Sequence, residues 1–190
     1  APHLLAVTDM MALLRDHGPA DDGDARWLAW PDGREPDTVC MHGPDGGTAA
    51  SMVAHLVPGS RPTYWASMAP PCTGVFVPCW VDTAPPSPLA HADETPDATS
   101  PWWRYRRLWE RVAAADDPGA AVEWIRDAWR PLEEDVSRQV RGLGADAAAE
   151  ARRTLSEVAY AESMRVLSHL EDSVGESRWS PVSAAQGSPR

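Results

Sequence analysis

The sequence predicts a mixed α+β fold in which a small antiparallel sheet precedes a helical region. Two patterns predict it. In the first half, short runs rich in Val, Thr, Tyr, Phe and Trp alternate with Gly- and Pro-containing turns, as in hairpin strands. In the second half, apolar residues recur every three or four positions, as on one face of a helix. We expect a sheet unit over residues 1–82, a proline-rich linker over 83–100, helices over 101–175 and a disordered tail over 176–190.

Four runs form the predicted sheet. They are Thr38–His42, Thr48–Val57, Thr63–Met68 and Thr73–Val81. Alternate side chains of a strand point to opposite faces. The second run has one apolar face and one small, mixed face, and the fourth run is apolar on both. A sheet with one face in water would alternate more cleanly between apolar and polar residues. The pattern therefore predicts strands covered on both sides, as in a layered sandwich.

One helix is expected before the sheet. It should run from Asp9 to about Asp16, with Thr8 as its N-cap and Gly18 as its stop. Acidic residues at its start, such as Asp9, are favoured by the helix dipole. A short strand is expected next, over residues 26–30.

Three helices are expected after the linker. Ser100 and the following proline predict a helix from Pro101 to about Ala115. A second helix should begin at Asp117 and be kinked or broken at Pro131, because proline removes a backbone donor. The third should run over residues 146–172.

Three segments of the sheet unit resemble a known family. They are T-V-C-M-H-G at 38–43, T-A-A-S-M-V-A-H-L at 48–56 and Y-W-A-S-M-A-P-P-C-T-G-V-F-V-P at 64–78. They are similar to the C-terminal half of the secernin and cysteine-dipeptidase family of N-terminal-nucleophile (Ntn) hydrolases, which have an αββα sandwich. The segment V-T-D-M-M-A-L-L-R-D-H-G at 7–18 resembles the helix before that sheet. The resemblance spans about residues 7–115, and it implies that this chain forms half of such a sandwich.

The resemblance also implies amide-bond hydrolysis, or acyl transfer, through a cysteine acyl-enzyme. The family's nucleophile is a cysteine at a mature amino terminus, with its own α-amine as base, whereas this chain begins Ala1-Pro2-His3. We therefore expect a nucleophile-bearing half on a separate protein chain, and a small amide or peptide substrate. One alternative is a non-catalytic accessory or scaffold subunit that retains half of the fold. Another is that the chain is a fragment of a longer protein.

Catalytic roles stay unassigned at this stage, but four residues are candidates for the substrate pocket: Cys40, His42, Ser51 and Trp65. Cys40 and His42 lie two apart, on one face of a strand, and could be a nucleophile and base, two metal ligands, or a buried structural pair. Zinc sites need four ligands in recognisable spacing. Because Cys40, His42, Cys72 and Cys79 do not show that spacing, we expect no metal and no cofactor.

Composition limits the partners and the compartment. The net charge is −11 and the pI is about 4.9, which argues against nucleic acid and anionic membranes. No apolar run reaches the roughly 20 residues that a membrane helix needs. Three cysteines without a signal peptide favour a reducing, cytoplasmic location.

Overall fold

The computed structural model describes residues 5–17, 38–42, 47–90 and 96–174. Its elements are helix α1 (Val7–Leu14), strands β1 (Ala50–His55), β2 (Thr63–Met68) and β3 (Val77–Trp80), a 3₁₀ helix (Ser87–Ala90), and helices α2 (Pro101–Ala113), α3 (Pro118–Gly142) and α4 (Ala149–Val174). The predicted strand at 26–30 and the predicted disordered tail from 176 lie outside the described residues. The mixed α+β class is confirmed.

The sheet has three antiparallel strands in the order β1-β2-β3. Val53 of β1 lies opposite Trp65 of β2, and Trp65 lies opposite Pro78 of β3. The predicted strand Thr63–Met68 is confirmed at both ends. The predicted run Thr73–Val81 is shorter in the structure, because its first residues form a turn in which the Gly74 N–H donates to the Pro70 carbonyl (3.1 Å).

The predicted first strand, Thr38–His42, was wrong. These residues form bends and a single antiparallel bridge between His42 and Gly47. The Cys40 N–H donates instead to the carbonyl of Asp16, 3.0 Å away, just past the end of α1. The segment is therefore held by the helix end and not by a neighbouring strand.

Helix α1 begins two residues earlier than predicted, and Thr8 is not its cap. Ala6 occupies the N-cap, and its backbone N–H donates to the Asp9 carboxylate at 2.8 Å. A capping box has two side-chain hydrogen bonds. The methyl group of Ala6 cannot accept one, so only the bond to the Asp9 carboxylate is made.

The helices of the second half agree with the prediction except at Pro131. Helix α2 starts at Pro101 as predicted, and the Asp117 side chain caps α3 by accepting from the Ala120 N–H at 3.0 Å. Helix α3 then continues through Pro131 to Gly142, so of the two predicted outcomes a break was wrong and a kink stays a prediction. Pro131 is exposed, and packing of the rest of α3 in the core offsets the lost backbone bond.

The core lies between the helices and one face of the sheet. Trp129 of α3 is fully buried, stacks on Tyr105 of α2 and donates its indole N–H to the carbonyl of Thr73 at 3.0 Å. Helix α4 packs along β3, where Ser156 donates to the carbonyl of Pro78 at 2.8 Å. The helices therefore bury the sheet face that carries Val53 and Trp65, and they bury both faces of β3.

The prediction of two covered faces is confirmed for β3, whose four residues are all buried, but it is wrong for β1, where the face opposite Val53 is open. Ala50, Met52, Ala54 and Leu56 are all exposed, Met52 by 62% and Leu56 by 72%. The outer edge of β1 has no further strand beside it among the described residues. An apolar strand face in solvent is unusual for a self-contained domain.

Glu133 of α3 joins three parts of the fold. Its Oε1 accepts from Arg15 (2.5 Å) and from the Phe76 N–H (3.3 Å), and its Oε2 accepts from Arg126 (2.9 Å). Arg15 also donates to the carbonyl of Pro71 at 2.9 Å. Burial lowers the pKa of Arg15, while the neighbouring Glu133 carboxylate opposes that shift. The carboxylate thus ties α1, α3 and the β2–β3 connection together.

We expect Glu133→Gln to lower the free energy of unfolding by about 3 kcal/mol. That is the low end of the range for removing one partner of a buried ion pair, because the three side chains keep 13–22% of their surface exposed. Urea unfolding measures the change. The matched control is Glu134→Gln at the next, exposed position of the same helix, for which we expect less than about 0.5 kcal/mol. Equal losses in both variants would contradict a linking role for Glu133.

A second stability prediction concerns Gly74. A Cβ at this position would lie 2.5 Å from Ser67 Oγ and 3.0 Å from the carbonyl oxygen of Met68. We therefore expect Gly74→Ala to destabilise the fold by about 1–3 kcal/mol through overpacking. Gly142→Ala is the control, because a Cβ there meets nothing within 4 Å; it should be neutral or slightly stabilising. Thermal unfolding of the two variants distinguishes them, and an unchanged melting temperature for Gly74→Ala would refute the expected clash.

Candidate functional site

Four sulfur and nitrogen ligand groups converge beneath the sheet. They come from three segments: His17 follows α1, Cys40 and His42 lie in the 38–42 segment, and Cys72 lies in the β2–β3 connection. One donor atom from each side chain lies within 4.8 Å of every other. We call this group the Cys2His2 cluster.

His42 is the centre of the cluster. Its Nε2 lies 3.0 Å from His17 Nε2, 3.4 Å from Cys40 Sγ and 3.4 Å from Cys72 Sγ. Cys40 is 0% exposed, Cys72 1% and His42 4%. The cluster is therefore closed to solvent on nearly all sides.

Backbone contacts of neighbouring residues bring the three segments together. The Asp16 carbonyl accepts from Cys40, as described above, which places Cys40 beside His17. Arg15, two residues before His17, holds the carbonyl of Pro71, directly before Cys72. The backbone of Cys40 and the residues next to His17 and Cys72 thus fix the geometry of the cluster.

Trp109 of α2 sets the tautomer of His42. The indole Nε1–H lies 2.6 Å from His42 Nδ1. An indole can only donate, so Nδ1 accepts, and a neutral His42 carries its proton on Nε2. That proton points toward the two sulfurs and His17. The guanidinium of Arg106 lies 4.3 Å above the Trp109 ring and covers it from the outside.

The pKa values of the two thiols of the cluster shift in opposite directions. Hydrogen bonding to Cys72, supported by His17 and His42, lowers the pKa of the Cys40 thiol despite its burial. Burial raises the pKa of Cys72, and the neighbouring Cys40 raises it further. When Cys40 is ionised, Cys72 thus acts as a hydrogen-bond donor to it.

The cluster is better suited to holding a cation than to attacking a substrate. A catalytic cysteine needs a lowered pKa and also access for the substrate, and Cys40 has no exposed surface. Two sulfurs and two imidazoles are instead the donor set of closed zinc sites. Neither Cys40 nor His42 lines any of the three cavities of about 370, 420 and 580 Å³, and the prediction that they border a substrate pocket stays a prediction.

Ser51 and Trp65 lie in two other places. Ser51 lines an open groove of about 580 Å³ on the exposed sheet face, beside Met52 and Trp102. Trp65 is buried in the core and borders a separate cavity of about 420 Å³. The four candidate residues do not share one pocket.

Sequence reasoning missed His17 as a partner of Cys40 and His42. It considered Cys72, but in a set whose fourth member was Cys79, and the Cys79 thiol lies elsewhere, near Tyr64 and Ser156. In the sequence, His17 was notable only for its position directly after a helix. Because it lies far from Cys40 along the chain, nothing indicated that the two residues are close in space.

Comparisons with known proteins found no matching protein family, no similar curated protein and no similar solved structure. Across the described residues, every helix is too short or too polar to cross a bilayer.

Proposed function

We propose that this chain is the C-terminal half of a secernin-like Ntn amidohydrolase whose nucleophile-bearing half is another polypeptide. The motifs at 38–43, 48–56 and 64–78 suggest the family. The observation that carries the proposal is the open apolar face of β1, with Met52 62% exposed. In an αββα sandwich, one sheet face packs on helices and the other packs on a second sheet.

The groove over this face has the character of a packing surface. Apolar residues from five elements line most of it: Met52, Met68, Val77, Leu89 and Trp102. Face-to-face sheets bury such side chains against each other. The Trp102 indole donates to the carbonyl of Ala49 at 2.8 Å, which holds one wall of the groove in place. A second sheet would cover this surface.

The chemistry proposed for the assembled enzyme follows from the family resemblance. An amino-terminal cysteine on the partner half would attack an amide carbonyl, its α-amine would take the thiol proton, and the amine product would leave from an acyl-enzyme. Water, or a second amine, would then release the acyl group. In this scheme the present chain supplies the sheet and part of the pocket wall, near Ser51, and no nucleophile.

The partner surface is tested by Met52→Glu. The chain is co-expressed with the product of a neighbouring reading frame that begins, after a short leader, with cysteine. We expect the two to co-purify in equal amounts and to hydrolyse small amides. Met52→Glu should abolish both effects, because it places a charge in an apolar interface, while leaving the melting temperature of the isolated chain unchanged.

Val158→Glu is the matched control, since Val158 is also an exposed apolar residue (49%) but lies on α4. It should leave association intact. Amide hydrolysis by the present chain alone, or association that survives Met52→Glu, would overturn the proposal. A genome in which no neighbouring frame encodes such a half would favour the alternative, a scaffold subunit.

A further inference from the structure

We propose that His17, Cys40, His42 and Cys72 form a closed, tetrahedral binding site for a zinc-like divalent cation, which cross-links α1, the 38–42 segment and the β2–β3 connection. Nothing in the motif resemblance requires this site, and it stands independently of the proposed function. It rests on the convergence of the four donor atoms within 4.8 Å.

The distances match the edges of a zinc tetrahedron. Zinc bonds of about 2.3 Å to sulfur and about 2.05 Å to nitrogen place sulfur and nitrogen about 3.5 Å apart, and two nitrogens about 3.3 Å apart. From His42 Nε2 the structure has 3.4 Å to each sulfur and 3.0 Å to His17 Nε2. A cation at the centre therefore needs only small shifts of the side chains.

The donor types select the metal. Thiolates with imidazoles favour zinc and related soft or borderline ions over magnesium and calcium, which prefer oxygen. The two thiolates neutralise the charge of the cation, and any proton that a ligand sulfur still carries is released to solvent on binding. Four protein ligands leave no open position for water, and three of the four are buried while His17 is half-buried, so the site is structural and not hydrolytic.

The hydrogen bond between Trp109 and His42 provides a way to detect metal binding. A neutral imidazole that binds metal through Nε2 carries its proton on Nδ1, whereas Nδ1 of His42 now accepts from the Trp109 indole at 2.6 Å. Metal binding at His42 therefore requires the indole to release Nδ1. The half-buried Trp109 ring lies against both His42 and the Arg106 guanidinium, so its release from Nδ1 also requires Arg106 to move. Trp109→Phe removes the bond that must break, and it should bind the cation at least as tightly as the natural chain.

The experiment titrates the full chain, freed of metal and kept reduced, with Zn²⁺ and separately with Co²⁺. We expect one cation per chain, with Co²⁺ absorption typical of tetrahedral coordination and of sulfur–cobalt charge transfer. Cys72→Ser should weaken Zn²⁺ binding at least about 100-fold, more than the 10–100-fold typical of losing an outer-shell partner. Cys79→Ser, which removes a buried thiol outside the cluster, should change the affinity less than about threefold.

The cobalt spectrum of the natural chain keeps the test decisive even if Cys72→Ser fails to fold. An octahedral spectrum without sulfur charge transfer, or no Zn²⁺ binding at micromolar concentrations, would overturn the site. So would equal losses in Cys72→Ser and Cys79→Ser. A Cys40–Cys72 disulfide in the natural chain, seen as two thiols missing from a thiol count before reduction, would also overturn it. Zn²⁺ binding that quenches or shifts tryptophan fluorescence in the natural chain, but not in Trp109→Phe, would confirm the predicted release of His42.

Discussion

The carboxylate of Glu133 is the contact on which the arrangement of the chain depends. It receives two guanidinium groups and one backbone N–H, from Arg15, Arg126 and Phe76. Placing a charge in a largely buried position is costly unless it is paired and hydrogen-bonded. Here the partners come from α1, α3 and the β2–β3 connection, so the cost is offset only when all three are in their native positions. The network therefore specifies the fold more than a single exposed ion pair could.

The same network determines where the Cys2His2 cluster forms. Arg15 is two residues from His17, and its bond to Pro71 fixes the residue before Cys72. The bond from Cys40 to the Asp16 carbonyl adds the third segment. Each ligand thus arrives on backbone that is already held by a neighbour. Supporting contacts of this kind hold sulfur and nitrogen ligands in positions that are precise enough to bind a cation.

Local patterns predicted the parts of the fold that local physics controls. Strand β2 alternates buried and half-buried residues along its length, and its bounds followed from the β-rich run between prolines. Pro101 predicted the start of α2, because proline is favoured at the first position of a helix. Thr38–His42 has the composition of a strand, but its pairing partner is a helix end, which no periodicity encodes. Pro131 was expected to kink or break its helix, yet the helix is not broken there, because the buried face of α3, with Ile125 and Trp129, extends it through the proline.

The ligand set was the hardest feature to predict because it depends on long-range contacts. Cys40 and His42 were visible as a pair, but their partners lie 23 residues before and 32 residues after Cys40 along the chain. Cysteine spacing alone did not distinguish Cys72 from Cys79 as a ligand. Only the fold separates them, because Cys72 sits in the connection that Arg15 and Glu133 hold, whereas Cys79 sits inside β3 beside α4.

A sheet of three strands with one open apolar face has little burial of its own to stabilise it. Helices cover both faces of β3 but leave one face of β1 open, so that part of the sheet gains no stability from burial. The Glu133 network compensates for this deficit from within the chain, and a cation bound by the Cys2His2 cluster would do the same. The covered face can thus hold β1 in register through Val53, which is buried opposite Trp65, while Met52 at the preceding position stays in solvent. If a second sheet packs on this open face, as proposed, the entropy cost of association is low because the strand is already ordered.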